Sequence, residues 1–246
     1  MTAPLRWQLA TVRSITTETE RTKTFTLTLP AWVMQQPGQH YDVRLTAPDG
    51  YQAQRSYSIA SGPERRGEID LTVERISDGE VSPYLHDVLA VGDQLEVRGP
   101  IGGYFVWTEN LGGPLLLIGG GSGVVPLMSM IRHRIAVGSQ VRTRLLLSAR
   151  TISDIIYRPQ LEELSRKQRG IDVIFTLTRQ TPAGWSGYRR RIDDPMLREV
   201  LAPLGDASRI YVCGPTLLVE AAANSLVRLG LPADQIRTER FGPSGT

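Results

Sequence analysis

The run Leu115-Leu116-Leu117-Ile118-Gly119-Gly120-Gly121-Ser122-Gly123 sets the architecture of the second half of the chain. Four consecutive apolar residues suit a strand buried on both faces, as in a parallel sheet. The glycines that follow let the backbone turn sharply and approach a ligand closely. A helix opening at about Val124–Pro126, with proline in its first turn, would aim free N–H groups and the positive end of its dipole at an anion. Two readings fit: a plain strand-to-helix turn, or a cradle for the pyrophosphate of a dinucleotide. The GxGxxG spacing is not met, since its third glycine falls on Val124, and no lysine follows, which excludes an ATP-type P-loop.

Downstream of the loop, strand and helix alternate. Strands are expected at Arg142–Ala149, Ile171–Leu177, Arg209–Val212 and near Arg237–Phe241, with helices at Pro126–Val137, Arg158–Gln168 and Leu217–Leu229. Such an order predicts an α/β doubly wound parallel sheet with helices on both faces. Upstream the texture changes. Short segments rich in Val, Thr, Leu and Tyr (Trp7–Arg13, Thr24–Leu29, Tyr41–Leu45, Ser56–Ala60, Ile69–Ile76, Gln94–Arg98) are broken by clusters such as Gln36-Pro37-Gly38 and Pro48-Asp49-Gly50. These six predict an antiparallel six-stranded β-barrel with one short helix after Ser82. The expected division is residues 1–108 for the barrel and 112–246 for the parallel sheet, with the boundary near Thr108–Pro114.

Composition narrows the chemistry. The 246 residues are enough for one large or two ordinary domains, and 41% hydrophobic with 22% charged side chains is a globular composition. One cysteine, Cys213, leaves no intramolecular disulfide, no structural zinc site of the usual kind and no four-cysteine iron–sulfur cluster within this sequence. His40, His86 and His133 are scattered outside metal-binding spacings, so no metal is expected. The net charge of +3 comes without long basic runs, which gives nucleic-acid binding little support; an acidic partner or a phosphorylated ligand suits it. The stretch Leu115–Met130 is too short and glycine-rich for a membrane span, and Met1–Ser14 lacks a signal-peptide pattern, so the expected location is cytoplasmic. Neither Ser122 nor Ser186 lies in GxSxG, which disfavours a serine hydrolase.

Three further segments extend the reading. Arg55-Ser56-Tyr57-Ser58-Ile59-Ala60-Ser61 resembles the RxYS(I/L)xS flavin motif of the ferredoxin–NADP⁺ reductase superfamily, and Cys213-Gly214-Pro215 resembles its CGP motif. Gly79-Glu80-Val81-Ser82 resembles the family's GxxS segment, and all four motifs occur in the family's order across nearly the whole chain. The resemblance implies an NAD(P)H-dependent FAD oxidoreductase. In it Arg55 holds the FAD pyrophosphate, Tyr57 lies against the isoalloxazine ring and Ser58 hydrogen-bonds near flavin N5 or O4, with Ser56 in the same strand. Gly79, Val81 and Ser82 supply a second phosphate-binding helix start, Ser82 acting as N-cap before Pro83. Two anion positions suit FAD better than FMN, which some relatives use.

By the same resemblance Gly121, Ser122 and Gly123 cradle the nicotinamide dinucleotide, and Cys213, with Gly214 and Pro215, sits beside the nicotinamide as an orienting group. Glu239 and Phe241 resemble C-terminal residues that border the flavin, although five residues follow Phe241, unlike the plant-type pattern with a terminal aromatic. Ser148, Arg150 and Arg179 lie where the family discriminates NADPH from NADH; two arginines would welcome a 2′-phosphate, so NADPH is favoured with NADH possible, unless Arg150 pairs with Asp154 or Glu162. Trp185-Ser186-Gly187-Tyr188-Arg189 follows in a loop directed at the adenosine end. The implied catalytic set is Tyr57, Ser58 and Cys213, in a monomer that passes electrons to a separate ferredoxin, oxygenase component or haem protein. Two alternatives stay open: reduction of free flavin or a small acceptor, and a non-catalytic flavin- or nucleotide-binding subunit.

Overall fold

A computed structural model describes residues 5–167, 170–205 and 208–242. Gln168, the expected end of one helix, and the outermost residues of the two expected domains, 1–4 and 243–246, lie outside the described residues.

Six antiparallel strands, β1 (Gln8–Thr19), β2 (Thr22–Thr28), β3 (His40–Thr46), β4 (Gln52–Ser58), β5 (Glu68–Glu74) and β6 (Gln94–Ile101), form one sheet in the order β4-β3-β6-β1-β2-β5. Its two edges meet through the Ile59–Leu71 bridge and an Ala60 N–H donated to the Asp70 carbonyl at 2.8 Å, so the sheet closes into the expected barrel. Alternation along the strands turns Ala10 and Val12, Phe25 and Leu27, Tyr41 and Val43, and Ile69, Leu71 and Val73 into its core. Two strands differ most from expectation. β1 continues to Thr19 because it pairs with β2 along a long hairpin, Ser14 to Thr19 facing Thr26 to Thr22. β4 starts at Gln52, held opposite Thr46 by the turn at Pro48-Asp49-Gly50, and leaves β3 after Ser58 to meet β5.

The second sheet is parallel, in the order β11-β10-β7-β8-β9, from β7 (Leu115–Gly120), β8 (Thr143–Ala149), β9 (Ile171–Leu177), β10 (Arg209–Pro215) and β11 (Ile236–Phe241). Leu115 and Leu117 pack beneath α2 (Val124–Ala136) and α3 (Arg158–Lys167), while Leu116 and Ile118 pack beneath α4 (Asp194–Leu201) and α5 (Thr216–Arg228). The strand is therefore buried on both faces, as its unbroken apolar run requires. Helix α4 is an addition to the sequence reading. Asp193 caps it, its side chain accepting the Met196 N–H at 2.9 Å, and Pro195 lies in the first turn.

The two sheets are bonded together at several points. Arg132 of α2 donates to the Ala60 carbonyl at 2.7 Å, and Ser129 of α2 to the Ser61 carbonyl at 2.8 Å. Tyr157, before α3, reaches Thr72 on β5 with its buried hydroxyl. Tyr211 on β10 donates to the Val106 carbonyl at 2.8 Å, and Trp107 is buried in the core of the parallel unit. Among the described residues no helix is long and apolar enough to cross a membrane.

Candidate functional site

The flavin-motif strand presents three side chains differently from one another. Arg55 is 57% exposed; Nη1 donates to the Gln54 carbonyl at 2.7 Å and Nη2 lies 3.9 Å from the Glu80 carboxylate. That carboxylate is engaged by the Tyr51 hydroxyl at 2.8 Å, so most of the guanidinium fork is left for a ligand. Tyr57 shares the Arg55 side of the strand and packs half-buried against the barrel core. Burial pushes its phenol up to about 12 against the opposing influence of Arg55, which keeps the ring neutral. Ser58, at the end of β4 opposite His40, has a hydroxyl with no hydrogen-bond partner among the described residues. Ser56 does: its hydroxyl donates to Asp42 at 2.7 Å, and the other Asp42 oxygen accepts from Arg98 at 2.8 Å. Its side chain is thus committed to the β3–β6 side of the strand.

Helix α1 (Val81–Asp87) corrects the expected role of Ser82. The N-cap is Glu80, without a side-chain cap bond, and the Ser82 hydroxyl turns back to accept the Ile76 N–H at 3.0 Å. Ser82 therefore closes the 76–82 loop from inside the first turn, where Pro83 forfeits no helical bond. A Cβ at Gly79 would stand 3.3 Å from both the Ser82 hydroxyl and the Ile76 carbonyl, so this loop is folded tightly. Val81 is buried in the barrel core, leaving its backbone as its contribution to the surface.

Parallel registration places the other group of residues in one row. Glu239, Cys213 and Gly119 are neighbours on β11, β10 and β7, and Gly120 faces Ser148 on β8. This row lies at the carboxyl ends of the strands, beside the point where strand order reverses between β7 and β10, the usual ligand position of such sheets. Gly121 takes φ +53° and Gly123 is pressed on the Cys213 carbonyl, so the loop turns beneath the CGP segment. A Cβ at Gly121 would find no atom nearer than Glu74 Oε2 at 4.0 Å, so the loop backbone is approachable from that side.

Charges in this row are held unusually. Burial, then the neighbouring Glu239, raises the Cys213 thiol well above its ordinary range, so the group is a neutral thiol and a poor nucleophile. Burial lifts Glu239 to about 7, and its Oε2 is buried without a partner. Phe241 ends β11 opposite Pro215 and packs on the core around Cys213, a strand residue and not a free cover.

At the outer strands, Ser148 is buried at the end of β8, and the Arg150 carbonyl accepts the N–H groups of Arg179 (3.0 Å) and Gln180. The two arginines are exposed and brought together by this lacing. The acids that sequence offered as partners for Arg150 are engaged elsewhere, Asp154 by Thr151 at 3.0 Å and Glu162 by Arg158 at 2.7 Å. Tyr188 bridges to Thr176, and Trp185 packs against Phe175 beside a cavity of about 300 Å³ at the edge strand β9.

Sequence reasoning missed two features. Ser122 donates to Glu74 of β5 at 3.0 Å, and the carbonyls of Ala60 and Ser61 anchor α2. Neither has a local signature, since each joins residues 48 or more positions apart.

Two places with donors open to an anion, one on each unit, are joined through β5 and α2, with a neutral thiol on the strand that the glycine loop rests against, an arrangement that suits bound dinucleotides. Residues 9–106 match the oxidoreductase FAD-binding domain and residues 117–224 the oxidoreductase NAD-binding domain. The chain is 36% identical over 212 residues to ferredoxin–NADP reductase B of Sorangium cellulosum, covering 83% of this chain and 84% of that protein. It is 34% identical to the glycine betaine monooxygenase reductase subunit of Chromohalobacter salexigens, covering 90% of this chain and 60% of that one, so it spans about three-fifths of this relative's length. The solved cytochrome P450 reductase of Amycolatopsis superposes with a TM-score of 0.84 at 27% identity, over 99% of this chain and 72% of that one. The chain belongs to the ferredoxin–NADP⁺ reductase superfamily, and its two matched domains make FAD and a nicotinamide dinucleotide its cofactors. The residues fit both: a largely available guanidinium fork and an unpartnered Ser58 hydroxyl on the barrel, an open Gly121 and an orphaned Glu239 oxygen on the sheet.

Proposed function

We propose that the chain is a reductase that takes electrons from NADPH, with NADH as a second donor, and passes them through FAD to a separate redox protein: a ferredoxin, an oxygenase component or a haem protein. The supporting observation is the pair of bonds from α2 to the Ala60 and Ser61 carbonyls, which fastens the end of the flavin motif to the helix opened by the glycine loop. FAD when bound accepts a hydride and releases electrons singly or as a pair. The chain's own residues bind and orient. Arg55 holds phosphate, neutral Tyr57 offers an aromatic face worth about 0.5–1.5 kcal/mol beyond its burial, and Ser58 offers a hydroxyl. Ser122 and the loop backbone take the second pyrophosphate. Cys213 stays protonated, so it places the nicotinamide without attacking it. The barrel, 1–108, and the parallel unit, 112–246, are the two binding domains of this reading, in a monomer. The relatives include reductase components of glycine betaine and propane monooxygenases, and the sole cysteine of this sequence cannot hold a cluster, which favours a one-electron carrier outside this sequence.

The first test is the visible spectrum of the purified protein followed by anaerobic titration with each coenzyme. Bleaching of bound flavin by NADPH supports the reading; bound flavin that neither coenzyme reduces overturns it in favour of a binding subunit. Arg55→Ala should weaken FAD binding by about 10- to 100-fold, the worth of a charge-assisted pair, in titrations of the flavin-stripped protein. Unchanged flavin affinity would remove Arg55 from the site.

Coenzyme choice is tested by replacing Arg150 and Arg179 together with glutamine. The KM for NADPH should rise roughly tenfold or more while that for NADH stays within about twofold, because only NADPH carries the 2′-phosphate. Equal effects on the two coenzymes would show that these arginines do not read it.

A further inference from the structure

We propose that Glu74 is a competitor for the coenzyme: its carboxylate occupies, through Ser122, the hydrogen-bonding position that the dinucleotide pyrophosphate must take. The proposal rests on the dinucleotide reading of the glycine loop. Ser122 Oγ donates to Glu74 Oε2 at 3.0 Å, and a hydroxyl has one proton to give. While Glu74 holds it, a phosphate oxygen cannot.

The same carboxylate oxygen lies 4.0 Å from the point where a Cβ would stand on Gly121, so a negative charge faces the open side of the loop backbone. A 3-10 turn over Gly121–Gly123 runs straight into helix α2 there, and the positive end of the helix dipole attracts that charge as it would a phosphate. Glu74 has no ion pair among the described residues, whereas its neighbour Arg75 pairs with Asp87 at 2.8 Å. A carboxylate kept for stability would ordinarily be met by a cation; this one is met by the loop.

Its backbone cannot withdraw. Glu74 ends β5, paired opposite Thr22 of β2, and Thr72 two residues earlier carries the buried Tyr157 hydroxyl. Only the side chain is left to rotate away when a pyrophosphate arrives, and a carboxylate that remains near two phosphates repels them. The consequence is a coenzyme bound more weakly, and released more readily, than the loop alone would allow. The penalty is blind to the 2′-phosphate, so it applies alike to both coenzymes, unlike the effect of Arg150 and Arg179.

The experiment is calorimetric titration of the flavin-loaded wild type and Glu74→Gln with NADP⁺, NAD⁺ and 2′-AMP, the last carrying the adenosine phosphate but no pyrophosphate. Glutamine keeps the shape and an acceptor oxygen but loses the charge. The variant should bind NADP⁺ and NAD⁺ both about five- to tenfold more tightly, the scale of a relieved like-charge contact, with 2′-AMP unchanged. Flavin absorbance checks that the variant is folded, and Glu74→Ala should repeat the sign. Dinucleotide affinities equal to wild type would overturn the proposal, as would the same gain for 2′-AMP, which would indicate a general field effect. A wild type that binds neither dinucleotide would overturn the loop reading itself and the proposal with it.

Discussion

Gly123→Ala should cost about 3 kcal/mol or more of folding stability and abolish dinucleotide binding, whereas Gly119→Ala and Gly121→Ala should each cost about 1 kcal/mol. The ranking follows from what each added methyl meets. At Gly123 it would lie 2.1 Å from the Cys213 carbonyl oxygen, 2.5 Å from its carbon and 2.8 Å from Gly214 Cα. All three are backbone atoms of β10, which is hydrogen-bonded on both sides, to β7 and β11, so neither partner can yield without breaking a ladder. Gly123 has φ −61°, ordinary for any residue, so the cost is steric contact alone. At Gly119 the nearest atoms are the flexible ends of Leu127 and Leu147 at 3.2 Å; at Gly121 the space is open and only the left-handed backbone is penalised. Urea unfolding of the three variants gives the order. A Gly123→Ala protein as stable as Gly121→Ala would mean that the loop does not rest on Cys213 as described.

That close contact also explains how much of the molecule was legible in the sequence. The apolar run into glycines, the strand-helix alternation after it and the two-residue alternation before it each report a local burial pattern, and both sheets formed as expected from them. The motif order identified the superfamily for the same reason, since each motif is a short contiguous segment. Misreadings occurred where one local pattern serves two geometries. Ser82-Pro83 reads as a cap followed by its first-turn proline, yet the hydroxyl bonds back to Ile76 and the helix starts two residues earlier, at Val81. Asp193-Asp194-Pro195 carried the same type of signal and was a real cap, overlooked because only two apolar turns follow it. The contacts that join the two units, Ser122 with Glu74 and Tyr157 with Thr72, have no local pattern at all. They arise from how two separately legible sheets meet.

The charge state of Glu239 belongs to that last class, and its pH dependence should be large. The folded chain holds this carboxyl proton up to about pH 7, while an unfolded chain releases it near the ordinary 4.5. Between those values the folded state binds more protons than the unfolded one, so stability falls as pH rises from about 4.5 to about 7 and is level above. The full loss approaches about 3 kcal/mol at pH 8, from the separation of the two values. Its physical origin is a buried oxygen with no hydrogen-bond partner beside a buried thiol that likewise resists ionisation. Glu239→Gln keeps the shape and is never charged. It should unfold at the same urea concentration as wild type at pH 4.5 and at a clearly higher one at pH 8, both proteins being compared at one FAD concentration because bound flavin stabilises each by mass action. Parallel stability curves across that range would show that Glu239 is solvated or paired. Activity should separate from stability in the same variant. If the row of Glu239, Cys213 and Gly119 positions the nicotinamide, a neutral side chain at 239 removes the ionisation near pH 7 from the coenzyme-reduction profile, while flavin affinity, governed by Arg55 on the barrel, remains at its wild-type value.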